Sequence, residues 1–279
     1  MADQPRTAAE YPLSYSEREQ RRLVAQSRFC GDLTERLFRA AGLLPGMSIL
    51  DVGCGVGDVS LLAAAIVGPS GSVLGVDRAA ASIEAARGRA RAAGLENVAF
   101  EEGDLDLPSL DPGRTFDALV GRFVLMYLTD PAATLAHLLR FLRPGGVVVF
   151  QEVEMSLARS VPPVRLFETC MGWIRETFRR AGSEIDMGSR LFSTYQRVDL
   201  PRPEMHLEGR VDGGAGAAAY DLIAQMVHSL LPMMERLGVA TSSEVGVETL
   251  AARLEAETCG GGGVVMLSPL IGAWARKPG

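Results

Sequence analysis

Lysine is almost missing. Lys277 is the one lysine among 28 basic residues in the 279-residue chain. Arginine fills the rest, a bias of GC-rich coding and not the mark of an arginine-dependent function. Histidine is scarce as well, with three copies at His137, His206 and His228, which leaves few side chains able to titrate near neutral pH. The four cysteines (Cys30, Cys54, Cys170, Cys259) stand far apart, without C-x-x-C or metal-ligand spacing. A disulfide framework and a zinc site are thereby excluded, and reduced thiols with no bound metal are expected. No stretch approaches eighteen apolar residues unbroken, and residues 1–10 have no apolar core of a secretion signal. A cytoplasmic protein with no membrane association is expected. A basic excess is also absent. The formal net charge of -6 counts against a nucleic-acid partner.

What is present is apolar residue in quantity, 47% of the chain, enough for a sizeable core in one or two domains. The most informative stretch runs Ile49-Leu50-Asp51-Val52-Gly53-Cys54-Gly55-Val56-Gly57-Asp58. A short apolar run ends in three alternate glycines, and a helical apolar pattern (Leu61, Leu62, Ala65, Ile66) follows. This reads as strand, tight turn, helix. Glycine suits such a turn because it accepts positive φ and lets a ligand approach the backbone. The helix start adds unpaired N–H groups. A nucleoside-type cofactor at the edge of a parallel sheet is the expected occupant. The dinucleotide fingerprint G-x-G-x-x-G requires glycine where Asp58 stands, so a pyrophosphate fits poorly. Asp51 adds a carboxyl at the strand end, better matched to an ammonium or to N–H donors than to phosphate.

The acidic residue followed by G-x-G-x-G resembles motif I of the class I S-adenosylmethionine (SAM)-dependent methyltransferases. Further along, Leu142-Arg143-Pro144-Gly145-Gly146 before an apolar strand is similar to another hallmark of that family. The resemblance covers residues 47–152 and is nearest the small-molecule branch containing the ubiquinone/menaquinone-type enzymes. It implies SAM as cofactor, with Asp51, Gly53, Cys54, Gly55 and Gly57 of the turn around it. It also implies contacts from Arg78, Gly103, Leu105 and Arg122, from Asp104 facing the adenine, and from the N-terminal helices through Tyr15, Arg22 or Gln26. The fold implied is a Rossmann-like α/β sheet, mostly parallel, with an antiparallel last strand.

Taken in order, Ser16 with Glu19 and Asp32 with Glu35 have capping-box spacing, predicting two short helices closed by Gly42. These form an N-terminal helical cap over residues 1–42, ahead of a methyltransferase domain over 43–279. Strand and helix then alternate. Strands are expected at 73–76, ending in Asp77, and at 98–102, 116–121 and 147–150. An acidic residue after the second strand can accept both ribose hydroxyls of a nucleoside, which assigns that role to Asp77. Asp130-Pro131 predicts a capped helix start. Beyond it, residues 163–181 read as an amphipathic helix and 204–211 as a half-buried strand. Residues 220–231 read as a helix ended by Pro232, 247–258 as another, and 264–275 as the last strand, interrupted at Ser268-Pro269. Residues 213–263 are read as a helical lid inserted over the acceptor site.

Methyl transfer from a sulfonium rests mainly on alignment and exclusion of water. A base is needed only if the acceptor must lose a proton. The candidates are His228 in the lid helix and Glu152 after the fifth strand. The expected activity is transfer of a methyl group to a small, largely apolar acceptor. Three alternatives stay open: a SAM-binding protein that transfers no methyl group, an NAD(P)-dependent oxidoreductase, and an RNA methyltransferase. A homodimer is also left open.

Overall fold

The computed structural model describes residues 17–105, 110 and 113–279, with side chains from residue 29 onward. It opens on a single long helix, α1 (Glu17–Ala40). The two short helices expected here are therefore one. Asp32 does not cap a helix start but lies within α1, paired with Arg36 at 3.1 Å and with Arg210. A stripe of Cys30, Leu33, Leu37 and Phe38 is buried continuously across Gly31, and this packing holds the helix together. Gly42 ends it as expected. Its N–H donates to Arg39 C=O and that of Leu43 to Phe38 C=O, the paired bonds of a Schellman cap.

The central block alternates as its sequence pattern requires: β1 (Ser48–Val52), α2 (Asp58–Val67), β2 (Ser72–Asp77), α3 (Ala80–Ala92), β3 (Val98–Glu102), β4 (Phe116–Arg122), α4 (Pro131–Leu138) and β5 (Leu142–Val153). Asp130 caps α4, its Oδ1 accepting from the N–H groups of Ala132 and Ala133. There follow β6 (Arg159–Val161), α5 (Arg165–Arg180), α6 (Met187–Gln196), β7 (Glu204–Glu208), β8 (Val211–Gly213), α7 (Ala218–Arg236), α8 (Ser242–Val245), α9 (Leu250–Gly260), β9 (Val264–Met266) and β10 (Leu270–Arg276). Among the described residues the main sheet has seven strands in the order β3-β2-β1-β4-β5-β10-β7. β1 to β5 are parallel, and β10 runs antiparallel to both its neighbours.

Strands covered on both faces lack polar alternation. Ile49, Val73, Ala118, Val120, Val147 and Val149 face one core with α1 and α2, while Leu50, Val52, Leu74, Leu119 and Val148 face the other. Each such side chain contributes ~1.5–3 kcal/mol on burial. The second core is continuous with that of the later helices, since Ile223, Val227, Leu230 and Met234 of α7 belong to it.

Four expectations in the C-terminal part are corrected. The predicted strand 204–211 is split at Gly209–Arg210 into β7 and β8, each an edge strand of a different sheet, and Leu207 and Val211 are exposed (57% and 59%). The last strand is also two. β9 joins β6 and β8 in a small separate sheet, and β10 returns to the main one. The helix expected to stop at Pro232 runs through it to Arg236, with Met233 and Met234 buried in its last turns. Helix α6 was not expected at all. All four cysteines are free thiols. Among the described residues no helix is long and apolar enough to cross a membrane, and no cluster of ligating side chains could hold a metal.

Candidate functional site at the strand C-termini

Because β1 to β5 run in one direction, their C-terminal ends open on the same edge of the sheet, where ligands of open α/β folds sit. The three turn glycines all have positive φ: +63° at Gly53, +52° at Gly55 and +86° at Gly57. Their surroundings differ. A Cβ on Gly53 would stand 2.7 Å from Val124 Cγ2, and one on Gly57 would stand 3.0 Å from Ala86 and Phe100. At Gly55 it would meet nothing within 4 Å. Gly53 and Gly57 are therefore required by packing. Gly55 lines a bare cradle that a side chain would fill.

Asp77 stands beside that cradle. Its Oδ2 accepts the Gly55 N–H at 2.9 Å and its Oδ1 the Ala79 N–H at 2.9 Å. Each oxygen keeps acceptor capacity for a further donor. The Gly103 N–H donates to the Asp77 carbonyl, which brings the end of β3 alongside. Gly103 and Leu105 are half-buried there, and Arg78 and Asp104 are exposed. Asp58, where a dinucleotide fold needs glycine, pairs with Arg89 of α3 at 2.6 Å, and Arg89 also donates to Val56 C=O.

Two residues of the turn are placed differently from expectation. Both are buried, Asp51 because β2 and β4 flank the strand end and Cys54 because it packs with Ile83, Ala86 and Phe100. Ser60 Oγ donates to Asp51 Oδ2 at 2.5 Å, while Oδ1 is buried without a partner. Burial pushes the Asp51 carboxyl up to about 7, although Ser60 and the nearby Arg122 pull the other way. Burial also raises the Cys54 thiol.

Arg122, at the end of β4, is half-buried. Its Nη1 donates to Thr34 Oγ1 at 2.8 Å, and Thr34 donates in turn to Gln151 Oε1 at 2.7 Å. Thr34 and Gln151 are both buried. This chain of bonds locks α1 to the ends of β4 and β5. Sequence reading missed Thr34 and Gln151, since 88 and 117 residues separate the bonded pairs and no local spacing announces them. Tyr15 lies outside the described residues, as do the side chains of Arg22 and Gln26.

The two base candidates part company. His228 is half-buried on α7, which packs against α1, α5 and α9. Glu152 is fully buried, so it cannot touch an acceptor. Its Oε1 accepts the Val124 N–H at 2.9 Å and the Leu125 N–H at 2.8 Å. Burial raises its carboxyl to about 7 against the pull of those bonds. His206 lies exposed against Trp274, and His137 sits on α4 next to Phe141.

The arrangement fits SAM: an open backbone cradle, a carboxyl with spare acceptors beside it, and an acidic and a basic group at the neighbouring strand ends.

Residues 43–177 match the family model described as a methyltransferase domain. Curated relatives include the nocamycin O-methyltransferase of Saccharothrix syringae, 34% identical over 53% of this chain and 50% of that one. The demethylmenaquinone methyltransferase of Symbiobacterium thermophilum is 35% identical over 42% of this chain and 47% of that one. The chain thus spans about half the length of the curated relatives it matches. Among solved structures, the YcgJ protein of Bacillus subtilis shares the fold with a TM-score of 0.56 at 18% identity, covering 87% of this chain and 96% of that one. The [4+2]-cyclase SpnF shares it with a TM-score of 0.53 at 20% identity, covering 88% and 80%.

Proposed function

We propose that this chain is a class I SAM-dependent enzyme that transfers a methyl group from SAM to a small, largely apolar acceptor, a reading supported by the match of residues 43–177 to a methyltransferase-domain family model. The observation that carries the reading is the Gly55 cradle with Asp77 beside it. Methyl transfer is supported over SAM binding alone by the two relatives above, whose names describe an O-methyltransferase and a quinone-precursor methyltransferase.

In this reading Asp77 accepts from the ribose hydroxyls, and Gly103, Asp104 and Leu105 border the adenine. Gly53 and Gly55 admit the methionine portion against bare backbone, with Arg78 and Arg122 at the rim and Asp51 and Cys54 supporting the turn from below. Tyr15 and Gln26 are assigned to the cofactor's outer side. SAM, when bound, supplies an electrophilic methyl and its own leaving group. The protein's work is then alignment and dryness, which α1 and the 213–263 segment provide by covering the strand ends. The cap over residues 1–42 and the lid are parts of one proposal. His228 is the base we assign for an acceptor that must lose a proton. We place the protein in the cytoplasm with no nucleic-acid partner, which the acidic balance supports, and a homodimer belongs to the same proposal. Calorimetric titration with SAM and S-adenosylhomocysteine tests the cofactor, and S-adenosylhomocysteine release on addition of phenolic or quinol acceptors tests the transfer. No heat with either nucleoside would overturn the reading.

A further inference from the structure

The chain leaves β4 in an unusual way. Phe123 takes φ +57°, a left-handed conformation uncommon for a side chain of its size. Val124 follows, then one turn of 3-10 helix over Leu125–Tyr127. The first N–H groups of any such turn have no partner within it. Here two of these, Val124 and Leu125, together with Phe123 just before them, are taken by two adjacent residues of β5. Phe123 N–H donates to Gln151 C=O at 3.0 Å, and Val124 and Leu125 N–H both donate to Glu152 Oε1. The Val124 side chain thus held lies directly on Gly53, close enough that a Cβ there would collide with it. Glu152 is therefore linked to the cofactor turn by one bonded step and one packed contact.

We propose that Glu152 is a positioning residue for the cofactor turn: from inside the sheet its carboxyl fixes the strained segment after β4, and through Val124 it fixes Gly53. This rests on the cofactor reading above. A catalytic role is ruled out by complete burial. Simple space-filling does not account for a carboxyl there, because its Oε2 is buried with no partner, a cost that an apolar side chain would avoid. What a carboxyl offers and a hydrocarbon does not is one oxygen that accepts two N–H bonds. The groups facing it are the backbone N–H of Val124, Leu125 and Met126 from the 3-10 turn, Ile271 opposite it on β10, and the buried Tyr195 of α6. Tyr195 is engaged elsewhere, donating to Ala273 C=O at 2.9 Å.

The test uses the full chain and three variants. Glu152→Gln keeps an acceptor oxygen in place. Glu152→Met keeps the length and removes the acceptors. Glu152→Asp keeps the carboxyl but withdraws it by one methylene. S-adenosylhomocysteine affinity is measured by calorimetry, and amide exchange at Val124 and Leu125 by mass spectrometry without ligand. The expected result is rescue by Gln, with affinity within about threefold of the parent. Met and Asp should bind at least ~10-fold more weakly, with faster exchange confined to 122–127. Parent-like affinity in Met or Asp, or equal exchange at Val124 and Leu125, overturns the proposal and leaves the cofactor reading standing. A parent protein that does not bind the nucleoside overturns the cofactor reading and this proposal's link to it. The exchange data alone then decide whether Glu152 fixes the segment. Should Met fail to fold, Asp decides between the same two outcomes.

Discussion

Gly55→Ala separates the cofactor site from the fold. The added methyl group meets no protein atom within 4 Å, so the folded state loses only the strain of placing alanine at φ +52°. That strain is about 1–2 kcal/mol, worth a few degrees in Tm for a chain of this size. The same methyl group stands in the cradle. Intrusion of one carbon into a packed contact costs about 1–3 kcal/mol, which weakens binding roughly 5- to 150-fold. The assay is thermal unfolding with and without S-adenosylhomocysteine. At a concentration of 100 times the parent Kd, the ligand stabilises the parent by about 2.7 kcal/mol. A variant weakened about 50-fold gains only about 0.7 kcal/mol at the same concentration, so most of the ligand-induced Tm shift disappears. Gly57→Ala is the control. There the Cβ stands 3.0 Å from Ala86 and Phe100 at φ +86°, so the unliganded Tm itself should fall, by more than in Gly55→Ala. An undiminished ligand shift in Gly55→Ala would refute the assignment of the cradle.

Asp77→Ala removes the acceptor for Gly55 and Ala79 N–H as well as for the ribose, so calorimetry should show affinity down roughly 10- to 100-fold, a charged hydrogen bond being worth ~1.5–3 kcal/mol. Asp51 and Glu152 both titrate near 7 when folded, raised by burial from 3.8 and 4.5. Above those ordinary values the unfolded chain ionises while the folded one keeps its protons, so the stability these two groups contribute should decline as pH rises and level off once the folded groups ionise near 7, opposite in sign to carboxylates held low such as Asp117. Glu152 alone accounts for up to ~3 kcal/mol of that decline. Denaturant unfolding at pH 5 and pH 8 measures it, and Asp51→Asn with Glu152→Gln should flatten the dependence. His228→Gln should lower kcat ~10²-fold or more for a hydroxyl acceptor and leave S-adenosylhomocysteine affinity unchanged. Turnover within about threefold of the parent would make His228 a packing residue.

The central β–α alternation was legible because β1, β2, β4 and β5 are buried on both faces and each helix carries its own stop signal. The Asp130 cap, Gly42 and the glycine turn are local devices, and local spacing shows them. The misreadings come from tertiary packing. Asp32 with Glu35 looked like a second helix start, but α1 runs straight through it, and Gly31 just before it costs only about 1 kcal/mol of propensity. The burial of Cys30, Leu33, Leu37 and Phe38 outweighs that. Pro232 carries a larger cost, about 3 kcal/mol, against which stands the burial of Met233 and Met234. The alternation of 204–211 looked half-buried because period two does not say whether a neighbouring layer exists. In the site, Gly55 and Asp77 follow from position relative to a strand end. Thr34, Gln151 and the grip of Glu152 on Val124 are cross-chain bonds, and nothing in the order of residues encodes them locally.

Glu208 and Leu270 stand opposite each other on adjacent strands, and the whole of 209–269 leaves and returns at that rung. Such a segment closes a loop whose ends the sheet already holds together, so its length weighs little on the stability of the sheet, while its content matters where α7 enters the shared core. Under the proposed lid role of this segment, acceptor choice and cofactor binding can diverge independently. A lineage, or an engineer, could exchange 209–269 as a cassette between homologous chains and keep the nucleoside site. The main residues to match would be Arg210, which ties the departing chain to Asp32 and Phe29 of α1, and the apolar face of α7 that completes the shared core.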